Sequence, residues 1–211
     1  MDRVMVKRVV PVIVLDDLAS AVPLVEALLK AGQDVMEITF RTAAAPEAVK
    51  VIRRTFPNVL IGMGTLLTPE QVEQAVAAGA MFGVTPGLNE KVIEKANALK
   101  LPMIPGVMTP SEIEKALSLG CKLLKFFPAE PAGGVKMLQA FWGPYAHTGV
   151  KFIPLGGISQ LTMGTYLALP AVVAIGGSWM VDKKLIAAKD WGKIEALSRE
   201  ALQIAASAKK A

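Results

Sequence analysis

Cysteine and histidine each occur once in 211 residues, aromatic side chains make up only 6%, and no long stretch is both apolar and free of turn residues. The single Cys121 cannot close an intrachain disulfide, so the fold is no disulfide framework, and ten methionines beside one thiol suit a reducing compartment. No spacing of His, Cys, Asp or Glu resembles a metal site, and no metal or other cofactor is expected. A charge-free stretch from Phe152 to Val181 is long enough to cross a bilayer. Pro154, Gly156, Gly157, Ser159, Pro170, Gly176, Gly177 and Ser178 cut it into short pieces, which reads as two buried strands and a connection. At the start, MDRVMVKRVVPVIVLDD puts a short apolar run ahead of Asp16 and Asp17 with no small-residue cleavage site. The expectation is a cytoplasmic protein without a membrane partner.

What is present points to a folded domain. Hydrophobic residues make up 53% and charged ones 19%, far from the composition of disordered chains. The length suits one domain spanning residues 1–211. Net charge is +5 and the pI is near 9.3, yet the basic residues are scattered, with Lys209 and Lys210 the densest group. Without a basic stripe or interleaved aromatics, no nucleic-acid partner is expected, and the excess charge suits an anionic small substrate.

Short apolar runs ended by Gly, Pro, Ser or Thr recur eight times: Val9–Val14, Asp34–Thr39, Leu60–Gly64, Met81–Thr85, Pro102–Pro105, Lys122–Phe127, Lys151–Leu155 and Val172–Gly176. Helical patterns such as LASAVPLVEALLKAG, TPEQVEQAVAAGA, LNEKVIEKANALK and TPSEIEKALSLG lie between them. Thr68 and Thr109, each followed by Pro, read as helix N-caps, and Gly32, Gly79 and Gly120 as helix stops. Eight such β-α units without a linker predict an α/β fold, a single-domain (β/α)8 TIM barrel. A doubly wound open sheet would carry its glycine-rich turn after the first strand. Here that strand runs into LDDLAS, and the paired glycines come after the last two strands.

Strand alternation sorts the candidate chemistry. In KLLKFFPAE, Leu123, Lys125 and Phe127 share one face and Leu124 and Phe126 the other. Lys125 is either a buried amine of lowered pKa, fit to attack a carbonyl, or a rim lysine with its head in water. In DVMEITFRT, Val35, Glu37 and Thr39 alternate with Met36 and Ile38, which points Glu37 inward. Glu37 and Lys125 would then share one cavity, as general base and carbonyl-capturing amine or only as a buried ion pair. Arg41 offers a fork for a carboxylate or phosphate, and Thr65 ends the third strand among glycines. LGGIS and IGGSW set Gly156, Gly157, Gly177 and Ser178 where backbone amides could cradle a phosphate. His147 precedes the seventh strand, the wrong end for barrel catalysis, and reads as structural or exposed.

The runs VPVIV, MEITFRT, GMGTLLTPEQ, TPGLNE, IPGVMTPSE, LLKFFPAEPAGGVKMLQAFWGP, PLGGIS and IGGSWM resemble the class I aldolases for 2-keto-3-deoxy-6-phosphogluconate and 4-hydroxy-2-oxoglutarate over nearly the whole chain. The resemblance implies a homotrimer of TIM barrels without metal. It implies a Schiff base between Lys125 and a 2-keto acid, with Glu37 shuttling protons directly or through water. The products would be pyruvate and glyceraldehyde 3-phosphate, or glyoxylate from the shorter substrate. By the same resemblance Arg41 and Thr65 hold the pyruvate carboxylate, Pro86 and Phe127 line that pocket, and Gly156, Gly157, Gly177 and Ser178 take the phosphate. Two positions depart from the family: Met63 replaces the Ala of GAGT, which predicts crowding beside the third strand, and Leu155 replaces the Thr of PTGG. The loss of that hydroxyl predicts relaxed or altered selectivity at C4 of the substrate, toward galactonate-type acids. About nine residues precede VPVIV, fewer than in relatives whose additional N-terminal helix covers the barrel bottom. A barrel that binds a sugar phosphate without turning it over, and a trimeric scaffold, are the alternatives.

Overall fold

Strands and helices alternate along residues 1–208, the part of the chain that the computed structural model describes; Lys209 and Lys210 lie outside it. The strands are β1 (Val9–Ile13), β2 (Val35–Thr39), β3 (Leu60–Gly64), β4 (Phe82–Val84), β5 (Met103–Ile104), β6 (Gly106–Val107), β7 (Leu123–Phe126), β8 (Lys151–Pro154) and β9 (Ile175–Gly177). The helices are α1 (Asp2–Lys7), α2 (Ala21–Lys30), α3 (Ala45–Thr55), α4 (Pro69–Ala78), α5 (Glu90–Ala98), α6 (Pro110–Ser118), α7 (Gly134–Tyr145), α8 (Met163–Leu167), α9 (Lys183–Ala187) and α10 (Trp191–Ser207). None of them is long and apolar enough to cross a membrane, and the charge-free stretch folds as β8, α8, β9 and a short 3-10 turn.

The architecture is α/β with wholly parallel pairing, as the alternation predicts. Its strands form a six-stranded sheet in the order β5-β4-β3-β2-β1-β9 and a three-stranded sheet in the order β6-β7-β8. Two places join the sheets. The fifth predicted run, Pro102–Pro105, is strand only at Met103–Ile104, and beyond Pro105, which has no N–H for a ladder, the chain continues as β6. The Pro105 carbonyl accepts from Lys125 N–H at 2.8 Å, so the chain leaves β4 and joins β7 at this residue. The eighth run is ordered as strand only from Ile175, but an isolated parallel bridge pairs Val172 with Phe152 of β8.

Local signals explain the helix ends. The Thr68 and Thr109 hydroxyls accept from the N–H groups of Gln71 and Glu112, each at 3.3 Å, and Pro opens both helices. Gly32, Gly79 and Gly120 turn left-handed just past α2, α4 and α6.

Two apolar cores result from strand alternation. The outer one, with Ile13, Met36, Ile38, Ile61, Leu124 and Phe126, packs strands on helices. The inner one draws Val10, Val35, Phe82 and Ile104 from the larger sheet against Ile153 and Leu155 from the smaller. Glycines on neighbouring segments make room for the large inner side chains: a Cβ at Gly62 would overlap Phe82, one at Gly64 would overlap Glu37, and one at Gly176 would meet the Leu155 side chain. Met63 belongs to the outer core, fully buried in register with Gly83, so the expected crowding falls on the helix side and away from the strands' inner face.

The short N-terminus is not a bare lead-in. Residues 2–7 form α1, whose Val4 is fully buried in the inner core. Asp34 holds the helix through Lys7 at 3.3 Å and Arg3 at 3.6 Å, and Lys7 Nζ also donates to the Gly32 carbonyl at 2.6 Å. Arg8 then donates to the carbonyls of Leu167, Ala205 and Ala208, tying this end to α10.

Candidate active site

Parallel pairing aligns the strands' C-terminal ends, and there the chain opens a cavity of about 160 Å³. Arg41, Lys125, Phe127, Leu155, Gly156, Gly157, Gly177 and Ser178 all line it, so eight of the eleven residues singled out from sequence converge on one space. Val12, Val14, Ile158 and Gly176 line it as well. Alternation along β1 could have named the first two, because they continue the inward face of Val10.

Lys125 is central to β7, in register with Gly106 and Ile153, and only 5% exposed. That decides between the two readings left open by the sequence: the lysine is buried, not a rim residue. Burial pushes its pKa below the ordinary lysine value; Glu37 opposes the shift and Arg41 adds to it. Nζ lies 4.6 Å from the centroid of the Phe127 ring, which gives any remaining positive charge a π face.

Glu37 is 3% exposed, and burial raises its pKa against the opposing pull of Lys125 and Arg41. No ion pair within 4.0 Å joins Glu37 to Lys125 among the described residues, and Glu37 Oε1 has no hydrogen-bond partner. The two groups act on each other through charge without a direct contact. Glu37 lines a second, apolar chamber of about 10 Å³, with Val4, Phe82, Ile104 and Leu155 among its walls. Leu155 and Gly176 line both spaces, so the two adjoin.

Thr65 is outside the cavity lining but reaches it through Arg41, whose Nε donates to the Thr65 hydroxyl at 3.3 Å. Its φ is +60°, a left-handed conformation that a β-branched residue adopts only at a cost of about 1–2 kcal/mol. Pro86 is not among the lining residues: its carbonyl packs against Gly106, where a Cβ would overlap it. Thr85 beside it is buried and donates to the Gly87 carbonyl at 2.6 Å, which fixes this turn.

At the opposite end of the cavity the chain turns through Gly156 and Gly157, with φ of +96° and +80°. The Leu155 and Gly156 carbonyls accept from Ala129 and Glu130 at 2.6 and 3.0 Å, holding the turn against the segment after β7. The N–H groups of Gly156, Gly157, Ile158 and Ser178 find no acceptor among the described residues. Four unengaged amide N–H groups beside an open cavity form a ready set of donors to an anion. His147 is exposed in the 3-10 turn before β8, at the N-terminal end of that strand.

Comparison with known proteins agrees with this geometry. The chain is 48% identical over 197 residues to the 2-dehydro-3-deoxy-phosphogluconate aldolase of Haemophilus influenzae, covering 93% of this chain and 92% of that protein. It is 44% identical over 195 residues to the KHG/KDPG aldolase of Escherichia coli, covering 92% and 91%. The crystal structure of KDPG aldolase from Legionella pneumophila, with pyruvate captured at low pH as a covalent carbinolamine intermediate, superposes with a TM-score of 0.88 at 42% identity, covering 91% of this chain and 92% of that one. The family pattern described as KDPG and KHG aldolase matches residues 1–197, and the chain belongs to that family of lyases.

Proposed function

We propose that this chain is a class I aldolase that cleaves 2-keto-3-deoxy-6-phosphogluconate, or the shorter 4-hydroxy-2-oxoglutarate, through an imine on Lys125. The observation that carries the reading is the buried Lys125 amine, of lowered pKa, in a cavity that runs from Arg41 to the paired glycines. The neutral amine attacks C2 of the keto acid to give a carbinolamine, and loss of water leaves a protonated imine. The covalent carbinolamine held by the Legionella relative supports this route.

The C3–C4 bond then breaks, and its electron pair moves into the imine to form an enamine. Glu37 takes the proton of the C4 hydroxyl as the aldehyde departs. Protonation of C3 and hydrolysis by water release pyruvate and restore Lys125. Arg41, steadied by Thr65, pairs with the substrate carboxylate, while Phe127 bounds that end. The unengaged amides around Gly156, Gly157, Gly177 and Ser178 receive the phosphate.

The two sheets, joined at Pro105 and at the Phe152–Val172 bridge, act as one (β/α)8 barrel in a single domain. Its working form is a homotrimer, and its partners are the small keto acid and sugar phosphate alone. Borohydride reduction in the presence of pyruvate, read by intact mass, tests the chemistry. A single reduced pyruvyl adduct on Lys125, absent in Lys125→Ala, is expected. A folded protein that takes no adduct would instead be a binder or scaffold.

A further inference from the structure

Helix α1 touches the reaction site from the far side. Val4 is fully buried and lines the small chamber that holds Glu37, directly opposite the opening at the strands' C-terminal ends. The chamber has room for about one water, yet Glu37 is the only polar side chain on its walls. A buried water needs two or more polar partners, so this space stays dry. The helix is fastened at that position by Asp34 through Lys7 and Arg3, and its exit is fastened by Arg8 on the carbonyls of Leu167, Ala205 and Ala208.

We propose that Val4 is a positioning residue for the aldolase reaction: it seals the chamber behind Glu37 and keeps water from the carboxylate on that side. The inference rests on the reading of Glu37 as the proton shuttle. Two charged groups act on Glu37, Lys125 from β7 and Arg41 just beyond β2, and both favour its ionised form. The surrounding walls from β1, β4, β5, β8 and β9 are apolar or glycine. Dryness is therefore what raises the proton affinity of Glu37 above that of an ordinary carboxylate, and α1 supplies one of the walls.

The test compares Val4→Asn and the nearly isosteric Val4→Thr with Val6→Asn, a change on the 75% exposed neighbour in the same helix. A polar group at position 4 gives a water its second partner, hydrates the carboxylate and lowers its proton affinity. The acid limb of the kcat–pH profile should move down by about one pH unit in Val4→Asn and by less in Val4→Thr, with no movement in Val6→Asn. Hydration felt by Lys125 would move a limb upward instead, so the direction identifies the group. If Val4→Asn does not fold, Val4→Thr decides. A folded Val4 variant whose acid limb stays in place overturns the proposal. Glu37→Gln separates the two levels: wild-type kcat in that variant removes the shuttle reading itself, whereas loss of kcat with unmoved Val4 profiles removes only the role of Val4.

Discussion

The glycine beside the carboxylate gives the sharpest handle on mechanism. In Gly64→Ala, the new Cβ would lie 2.5 Å from Cδ and 2.9 Å from Cγ of Glu37 and would overlap Oε1, where ordinary contact begins at 3.4 Å. The end of the Glu37 side chain must therefore move by about 1 Å, a misplacement that typically costs about 100-fold in rate. That is about 2.7 kcal/mol of positional precision lost in the transition state. The stability cost should sit at the low end of the 1–3 kcal/mol usual for overpacking, about 1 kcal/mol, because the displaced atoms end a flexible side chain. Pyruvate release followed continuously should show kcat down about 100-fold. Borohydride trapping of pyruvate on Lys125 should persist, since the amine and its cavity are untouched. A folded Gly64→Ala enzyme with kcat within about threefold of the parent would refute the assignment of proton transfer to Glu37 in its observed position.

Two further outcomes follow from the same geometry. Thr65→Gly removes left-handed strain but also the hydroxyl that steadies Arg41, so denaturant unfolding should show a gain of about 1 kcal/mol while the KM for pyruvate in the addition direction rises; a less stable protein with unchanged KM would contradict it. Leu155→Thr places a hydroxyl on the wall that both spaces share and should change the ratio of kcat/KM for the phosphogluconate and phosphogalactonate acids, which differ at C4; equal ratios in both proteins would remove Leu155 from specificity.

Much of this was legible in the sequence because period-two alternation is local. It put Glu37 on the inward face and Met36 and Ile38 on the outward one, and set Lys125 on the face opposite Leu124 and Phe126 while leaving it buried or at the rim; the Thr-Pro pairs, another local signal, marked helix starts. Features that depend on distant partners were not legible. The split at Pro105 reflects which neighbour each half-strand meets, not the run PMIP itself. Helix α1 is too short to show a period, and it holds because Asp34, Gly32 and the inner core receive it. The packing of Leu155 over Gly176 is a relation between two segments that no single run displays. Pro86 lies in the expected turn, yet the turn faces Gly106 rather than the cavity.

The glycines that accept Phe82, Glu37 and Leu155 also bear on how such a site can change over time. Each large inward group is matched to a vacancy on the adjoining segment, at positions 62, 64 and 176 respectively. Neither member of a pair can be altered freely while the other stays, because the vacancy without its occupant is a void and the occupant without its vacancy collides. Substrate range in this fold therefore has a hereditary unit of two residues, and a library that varies positions 155 and 176 together will reach pocket shapes closed to any series of single changes.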